Sequence, residues 1–151
     1  MTTEELMELM EERALGYRFL ARAFRTAPDP TFIEAVMSAS EANADGPLAP
    51  FYSETDGADR EQLRIDLAAD YNQLFLGMSA HPVAPYESVY TSEEGLMFQD
   101  AYHEVFQLYK ANHVAKAEGY DFPHDHLSFM CEFLVVLSDL SLIHISEPTR
   151  Q

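Results

Sequence analysis

The chain is poor in cysteine and in basic residues, and it has no long apolar run. Cys131 is its only cysteine, so no disulfide can form within the chain and no thiolate cluster can bind zinc or an iron–sulfur centre. Nine Lys and Arg residues stand against 26 Asp and Glu, for a formal charge of −17. Nucleic acids and anionic membrane surfaces attract positively charged proteins, so this balance argues against both as partners.

The sequence also shows no sign of a membrane span or a secretory leader. The opening residues, MTTEELMELMEER, are acidic where a signal peptide would be basic, and no apolar run approaches the length of a span. We therefore expect a cytoplasmic protein with no stable membrane insertion. With 47% hydrophobic and 12% aromatic residues among 151, the chain can bury a core and fits one domain.

Helical periodicity begins near the N-terminus. Thr2-Thr3-Glu4-Glu5 forms a capping box, in which a Thr side chain and a Glu three residues later satisfy free backbone donors. Arg13 falls on the apolar stripe of the helix that follows, so we interpret it as a buried tie to a carboxylate or as part of a site. The apolar members of that stripe are Leu6, Met10, Tyr17, Leu20 and Phe24.

Further helix boundaries can be placed from local signals. Asp29 and Pro30 are typical of a helix start, and the composition of residues 41–59 is that of a loop. Helix resumes near Ala58 and ends at Gly77. A second capping box, Thr91-Ser92-Glu93-Glu94, predicts a helix whose apolar residues begin with Leu96 and Phe98.

The last strong helix follows the segment PHDHLSFMCEFL. Asp125 lies at its expected start, where free N–H groups favour an anion, and Asp121 is a rival cap. The main stripe of this helix is predicted to be Leu127, Met130, Leu134 and Leu137. No segment alternates as a strand would, so the sequence predicts a single all-α helical bundle domain of about five helices. A long irregular connector rich in proline and aromatic residues, MSAHPVAPYESVYTSEEG, joins two of them.

Three segments together resemble the TorD/DmsD family of redox-enzyme maturation chaperones, which includes NarJ-like proteins. They are RALGYRFLARAF, DYNQLFLGMSAHPVAPYESVY and FPHDHLSFMCEFLVVL, in the family's order and with similar separations. The resemblance runs from about Glu11 to about Leu140. It implies an all-helical, non-enzymatic chaperone without a cofactor, which binds the twin-arginine signal peptide and the apo form of a molybdenum-cofactor oxidoreductase before export.

The resemblance also implies which residues act. Asp70 and Tyr71 match a segment linked to contact with the partner enzyme. A twin-arginine peptide offers guanidinium groups and then an apolar stretch, and carboxylates, tyrosine faces, Met and Phe suit both parts. The residues carried over to the signal-peptide site are Tyr86, Glu87, Ser88, Tyr90, Asp125 and His126.

Two features depart from the family pattern. Phe122 stands where members often have an acidic residue, and Asp121 is a candidate replacement for that charge. After Leu140 the apolar pattern stops in SLIHISEPTRQ, so we expect a chaperone domain over residues 1–140 and a non-native tail over residues 141–151. The C-terminal helices of the family would then be missing or replaced. A helical bundle with a long connector can also exchange elements between copies, which makes a homodimer a candidate state.

Two other functions remain open from the residues alone. His124 and Asp125 form a dipeptide found in metal-dependent phosphohydrolases, and His81, His103 and His113 could complete a ligand set. The second alternative is a non-catalytic assembly subunit with no role in signal-peptide binding. Nucleophilic catalysis has no motif in its favour, because the chain contains no Gly-x-Ser-x-Gly turn and Cys131 reads as a core residue.

Overall fold

The structure, a computed structural model, describes residues 2–146 and contains seven α-helices in that range. No strand forms within the described residues, apart from a single isolated bridge. The all-α prediction is therefore confirmed, with two more helices than the sequence suggested. The helices are α1 (Thr3–Arg25), α2 (Pro30–Ala42), α3 (Ala49–Thr55), α4 (Arg60–Phe75), α5 (Glu87–Thr91), α6 (Asp100–Ala111) and α7 (Leu127–Ser146).

The chain divides into two compact units. The first combines α1 with the chain from Ala84 onward, and the second spans Thr26–Val83. The prediction of a domain boundary near residue 140 stays a prediction. Helix α7 passes that point and ends at Ser146, and residues 147–151 lie outside the described residues.

In the first unit, α1 packs along α7. Ala14 and Ala21, which lie two helical turns apart on one face of α1, are buried. Small side chains at these positions allow two helix backbones to approach each other closely. Leu20, predicted to lie on the buried stripe, is exposed instead.

Charged residues join the edges of the same helix pair. Arg18 donates two hydrogen bonds to the carboxylate of Asp139, at 2.9 and 3.1 Å, and Arg25 lies 3.5 Å from Glu132. The expectation that Arg13 is a buried tie is wrong. Its side chain is exposed and only reaches the Tyr17 hydroxyl at 3.5 Å, because the packed face of α1 is the one that carries the alanines.

The core of the first unit is aromatic. Tyr109 lies edge-on to Phe129 and Phe133, with ring centroids 4.7 and 4.8 Å apart, and Tyr120 packs against Phe129 at 5.1 Å. Edge-to-face pairs at such distances add to the stabilisation from burial alone. This cluster fixes α6, the segment before α7 and the first turns of α7 together.

The predicted apolar stripe of α7 is wrong. Leu127 and Leu134 are exposed, while Met130 and Leu137 are only partly buried. Apolar residues occur on every side of this helix, so periodicity alone could not identify the buried face. Among residues 127–143, the buried side chains are Ser128, Phe129, Cys131, Phe133, Val135 and Ser138.

The second unit contains α2, α3 and α4, and α2 packs against both of the others. Asp29 caps α2 by accepting the Phe32 N–H at 2.8 Å, with Pro30 in the first turn, as predicted. Gly77 follows α4 with φ of 73°, a conformation suited to a helix stop. Helix α3 was predicted as loop, since its composition is rich in loop-forming residues.

The two capping boxes had different outcomes. At the start of α1, the Thr2 hydroxyl accepts the Glu5 N–H and the Glu5 carboxylate accepts the Thr2 N–H, which confirms the first box. The second box is wrong, because Thr91 ends α5 and the next helix begins only at Asp100. The Ser92 hydroxyl instead accepts the Leu96 N–H within the intervening loop.

Candidate functional site

Two segments that the sequence singled out separately lie side by side in the first unit. The backbone N–H of Leu127 donates to the Pro85 carbonyl at 2.8 Å, and that of Glu87 donates to the Asp125 carbonyl at 3.2 Å. Tyr86 and His126 form the isolated antiparallel bridge between these bonds. The start of α5 is therefore joined to the start of α7 across nearly forty positions of sequence.

Asp125 holds α5 rather than its own helix. Its Oδ2 accepts the Ser88 backbone N–H at 3.0 Å and the Ser88 hydroxyl at 2.5 Å. Both residues have 0% exposure. The expectation that Asp125 caps the helix that follows it is thus wrong, because the carboxylate takes the place of a capping side chain for the first turn of α5. Asp121, the rival cap, is exposed.

The His126 ring lies between two aromatic residues. Phe122 stacks on it, with centroids 4.3 Å apart and planes 28° apart. Tyr86 meets it edge-on at 5.1 Å. Phe122 therefore supplies an apolar face to the histidine, while Asp121 is exposed.

Hydrogen bonds fix the orientation of the same ring. The Ser128 N–H donates to His126 Nδ1 at 3.1 Å, so the neutral ring accepts there and carries its proton on Nε2. The Ser128 hydroxyl then donates to Nδ1 at 2.9 Å and accepts from the Tyr120 hydroxyl at 2.5 Å. Burial lowers the pKa of His126 to about 4, although Asp125 opposes the shift, so the ring is neutral near pH 7.

Two buried polar atoms of the site have no hydrogen-bond partner within the described residues: Asp125 Oδ1 and His124 Nδ1. The His124 ring packs among aromatic rings, with Phe106 at 4.7 Å and Tyr102 at 5.2 Å. Burial, and then the positive charge of Lys116, lower the pKa of His124. Buried polar atoms without a protein partner are uncommon.

Other members of the predicted site reach solvent. Tyr90, on α5, is 63% exposed, while Tyr86 and Glu87 are half-buried. Burial and the nearby Asp125 raise the pKa of Tyr86, which keeps its hydroxyl protonated. The site thus has a buried part, which holds α5 in place, and an outer part that a ligand can touch.

Asp70 and Tyr71 lie on α4, in the second unit. Tyr71 is buried and its ring lies 5.1 Å from that of Phe75, whereas Asp70 is exposed.

The histidines of the metal-hydrolase alternative lie in different surroundings. His81, His103 and His113 are exposed, and His124 is surrounded by aromatic rings. Within residues 2–146, no group of three or more His, Cys, Asp or Glu side chains could hold a metal ion. In the same range, no helix is both long and apolar enough to cross a bilayer.

Sequence reasoning missed three residues that build the site. Tyr120 and Ser128 orient the histidine, and Phe122 stacks on it. Of these, Ser128 is nearest to the histidine in sequence, two residues after it. The role of Phe122 was not visible, because an aromatic residue before a helix normally indicates only packing.

A family model described as nitrate reductase delta subunit matches residues 37–150 of the chain. The chain is also similar to proteins named chaperone protein TorD. That of Vibrio vulnificus is 33% identical over 76 residues, which are 50% of this chain and 35% of the relative. That of Vibrio cholerae is 34% identical over 80 residues, or 53% of this chain and 36% of the relative. These matches therefore span about a third of the curated relatives' length.

A solved structure shares the fold. It is a crystal structure described as a redox enzyme maturation protein from Archaeoglobus fulgidus, and it superposes with a TM-score of 0.52. The match covers 94% of this chain and 85% of the other, at 21% sequence identity. At that identity the likeness concerns the all-helical fold alone.

Proposed function

Because the chain belongs to the nitrate reductase delta subunit family, the TorD and NarJ-like group, we propose that it is a chaperone for a molybdenum-cofactor oxidoreductase. It binds the twin-arginine signal peptide of the apo enzyme in the cytoplasm and assists maturation before export. The observation that carries this proposal is the union of two family motifs at one place, where Asp125 holds Ser88 and His126 pairs with Tyr86.

The roles within the site follow from exposure. Asp125 and His126 are 0% and 2% exposed, so they act by holding α5 and its neighbouring loop in position. Tyr86, Glu87 and Tyr90 are the members that contact the peptide. A carboxylate such as Glu87 can accept a guanidinium in a bidentate pair, and a tyrosine face can stack on it.

The open acceptor of Asp125 adds to this division of roles. Its Oδ1 accepts no hydrogen bond from the described residues. An arginine or a peptide N–H that reached this oxygen would satisfy it while Ser88 keeps its bonds to Oδ2. The segment of Asp70 and Tyr71 on α4 provides the contact with the partner enzyme, through the exposed Asp70.

The proposal is one of binding and not of catalysis. His124 is held among aromatic rings at a lowered pKa, and the other candidate histidines are exposed. A neutral imidazole in such surroundings is a packing residue. A non-catalytic assembly subunit without signal-peptide binding is the remaining alternative, and peptide binding separates the two.

The first test is calorimetric titration of the chain with a synthetic twin-arginine signal peptide, next to a twin-lysine peptide of otherwise equal sequence. We expect binding of the arginine peptide to be about tenfold tighter, a difference of about 1.4 kcal/mol, because lysine cannot form the bidentate pair. Equal binding of both peptides would indicate simple charge attraction. No binding by a well-folded chain would favour the assembly subunit.

The second test concerns the buried pair. Asp125→Ala and His126→Ala should each weaken peptide binding by about tenfold while far-UV circular dichroism shows that the helices remain. Asp121→Ala is the matched control, since it removes an exposed carboxylate four residues away. If both variants lost their helical signal, the pair would be assigned to folding alone.

A further inference from the structure

The loop between α5 and α6 exposes large apolar side chains. Leu96, Met97 and Phe98 are consecutive, and they are 53%, 42% and 52% exposed. Phe98 has φ of 62°, a left-handed conformation that is rare for a bulky residue. Its ring meets Tyr102 of α6 edge-on at 5.1 Å. Three such neighbours in one loop are unusual on a surface that does not bind anything.

The same loop begins and ends at carboxylates that surround a cavity. The cavity has a volume of about 370 Å³ and is lined by Thr91, Ser92, Glu93, Glu94, Gln99 and Asp100. Residues 87–104 include five Asp and Glu residues and not one Lys or Arg. The apolar residues 96–98 thus lie in the chain between two parts of a strongly negative rim.

We propose that this loop, with its apolar residues 96–98 and its rim of Glu93, Glu94 and Asp100, is the docking surface for a peptide that carries arginines next to an apolar stretch. We call it the α5–α6 face. The proposal rests on the proposed function and deepens it, because it adds the rim to Glu87 as a partner of the peptide's arginines and assigns the apolar stretch to residues 96–98. None of these residues belongs to the motifs that suggested the chaperone.

The negative charge of the face favours a cationic peptide over two other occupants, a second copy of the chain and an anionic membrane. A second copy of the chain would bring the same rim and a further formal charge of −17, so two such faces would repel each other. An anionic membrane surface would be repelled in the same way. A cationic and apolar peptide is complementary to both parts of the face, and electrostatic complementarity also directs its approach.

The α5–α6 face is connected to the buried pair. Asp125 fixes the first turn of α5, and the cavity begins at Thr91, the last residue of that helix. A series of rings leads inward from the face, from Phe98 to Tyr102 and on to His124 at 5.2 Å. The buried motif residues Asp125 and His126 therefore position the face, which adds its own contacts to those of the exposed motif residues.

The test of the rim compares two triple variants with equal changes of charge. Glu93→Gln, Glu94→Gln and Asp100→Asn neutralise the rim, whereas Glu8→Gln, Glu11→Gln and Glu12→Gln neutralise three exposed carboxylates of α1. Titration calorimetry with the twin-arginine peptide at low salt is the measurement. We expect the rim variant to bind at least tenfold more weakly than the wild type, and the α1 variant to bind less than threefold more weakly.

The apolar part is tested at Phe98. Phe98→Gly removes the ring and suits the positive φ, so the backbone has no reason to change. His113→Gly is the matched control, since His113 is exposed and also has a positive φ, of 57°. We expect Phe98→Gly to weaken peptide binding at least fivefold and His113→Gly to leave it unchanged.

The outcomes separate the two proposals. If the wild type binds the peptide and all four variants bind equally well, the α5–α6 face is not the docking surface while the chaperone function stands. If the folded wild type does not bind, both proposals are overturned. Sedimentation velocity checks the rival occupant: a dimer that dissociates in the rim variant or in Phe98→Gly would assign the face to a second copy and overturn the inference.

Discussion

At the scale of single residues, the site depends on two buried polar side chains that were expected to face a ligand. Asp125 is ionisable and fully buried, and it is tolerated because Ser88 donates two hydrogen bonds to it. His126 is buried in its neutral form, between Phe122 and Tyr86 and in contact with Ser128. Both residues hold other parts of the chain, so their first effect is on structure and their effect on binding follows from it.

The histidine makes stability depend on pH. Its pKa is about 4 in the folded chain and about 6.5 when unfolded, so between these values the unfolded state binds more protons. The stability that the neutral His126 ring gives to the folded chain is therefore complete above pH 6.5 and is lost as the pH falls towards about 4. The change in the free energy of unfolding is on the order of 3 kcal/mol. Urea denaturation at several pH values in this range gives the slope of the free energy of unfolding against pH. We expect this slope to be shallower for His126→Gln than for the wild type. His113→Gln, at an exposed position, should keep the wild-type slope, and an unchanged slope in His126→Gln would contradict the assignment.

At the scale of elements, α5 is too short to be stable alone. A helix of five residues does not repay the cost of nucleation, so α5 forms because of contacts from elsewhere in the chain. Asp125 supplies an acceptor for its first turn and the backbone of residues 125–127 pairs with residues 85–87. The position of the α5–α6 face thus depends on one carboxylate remote in sequence.

Hydrogen exchange should reveal this dependence. In Asp125→Ala the Ser88 N–H and hydroxyl lose their acceptor, at a cost of about 1–3 kcal/mol, and α5 should open more often. We expect amides of residues 88–92 to exchange at least tenfold faster than in the wild type, with those of α2 nearly unchanged. Asp121→Ala should leave both helices as they are. Equal acceleration in α2 and α5 would mean a loss of global stability instead.

The pair formed by α1 and α7 allows a comparison of packing with surface charge. Ala21 is 4% exposed, so Ala21→Leu forces extra volume into the interface and should cost about 1–3 kcal/mol. Arg18→Ala breaks a pair whose side chains are about half exposed, and it should cost less than about 1 kcal/mol. Urea denaturation would measure both, with Ala69→Leu at an exposed position of α4 as the control. A larger loss in Arg18→Ala than in Ala21→Leu would contradict this order.

At the scale of the whole molecule, the formal charge of −17 is the dominant property. Such an excess destabilises the folded state through repulsion between its own carboxylates, and it attracts cationic ligands from a distance. The negative charges therefore lower the stability of the folded chain and raise its affinity for cationic ligands.

Salt should separate these two responses. Between about 10 and 150 mM salt the screening length falls from about 30 to 8 Å, so repulsion within the chain and attraction of the peptide both weaken. We expect the free energy of unfolding, measured with urea, to rise with salt, and the affinity for the twin-arginine peptide, measured by calorimetry, to fall. A twin-arginine affinity that did not change with salt would argue against recognition by carboxylates.

The sequence alone determined what local chemistry controls. It determined the all-α class, because helical periods and helix-stopping residues act over a few positions, and it located the Thr2–Glu5 box, the Asp29 cap and the stop at Gly77. It also marked the two motifs that meet at the site. Only the tertiary structure decided which partner each polar group takes.

The reason lies in distance along the chain. Asp125 caps α5 and not its own helix because the two segments pair in space, and no short-range pattern records such a pairing. The same holds for the buried side of α7. Apolar residues lie on every side of this helix, and its packing against α1 and in the aromatic cluster decides which of them are buried. Local signals fix most of the longer helices, but packing decides whether a short segment such as α5 becomes helical and which side chains are buried.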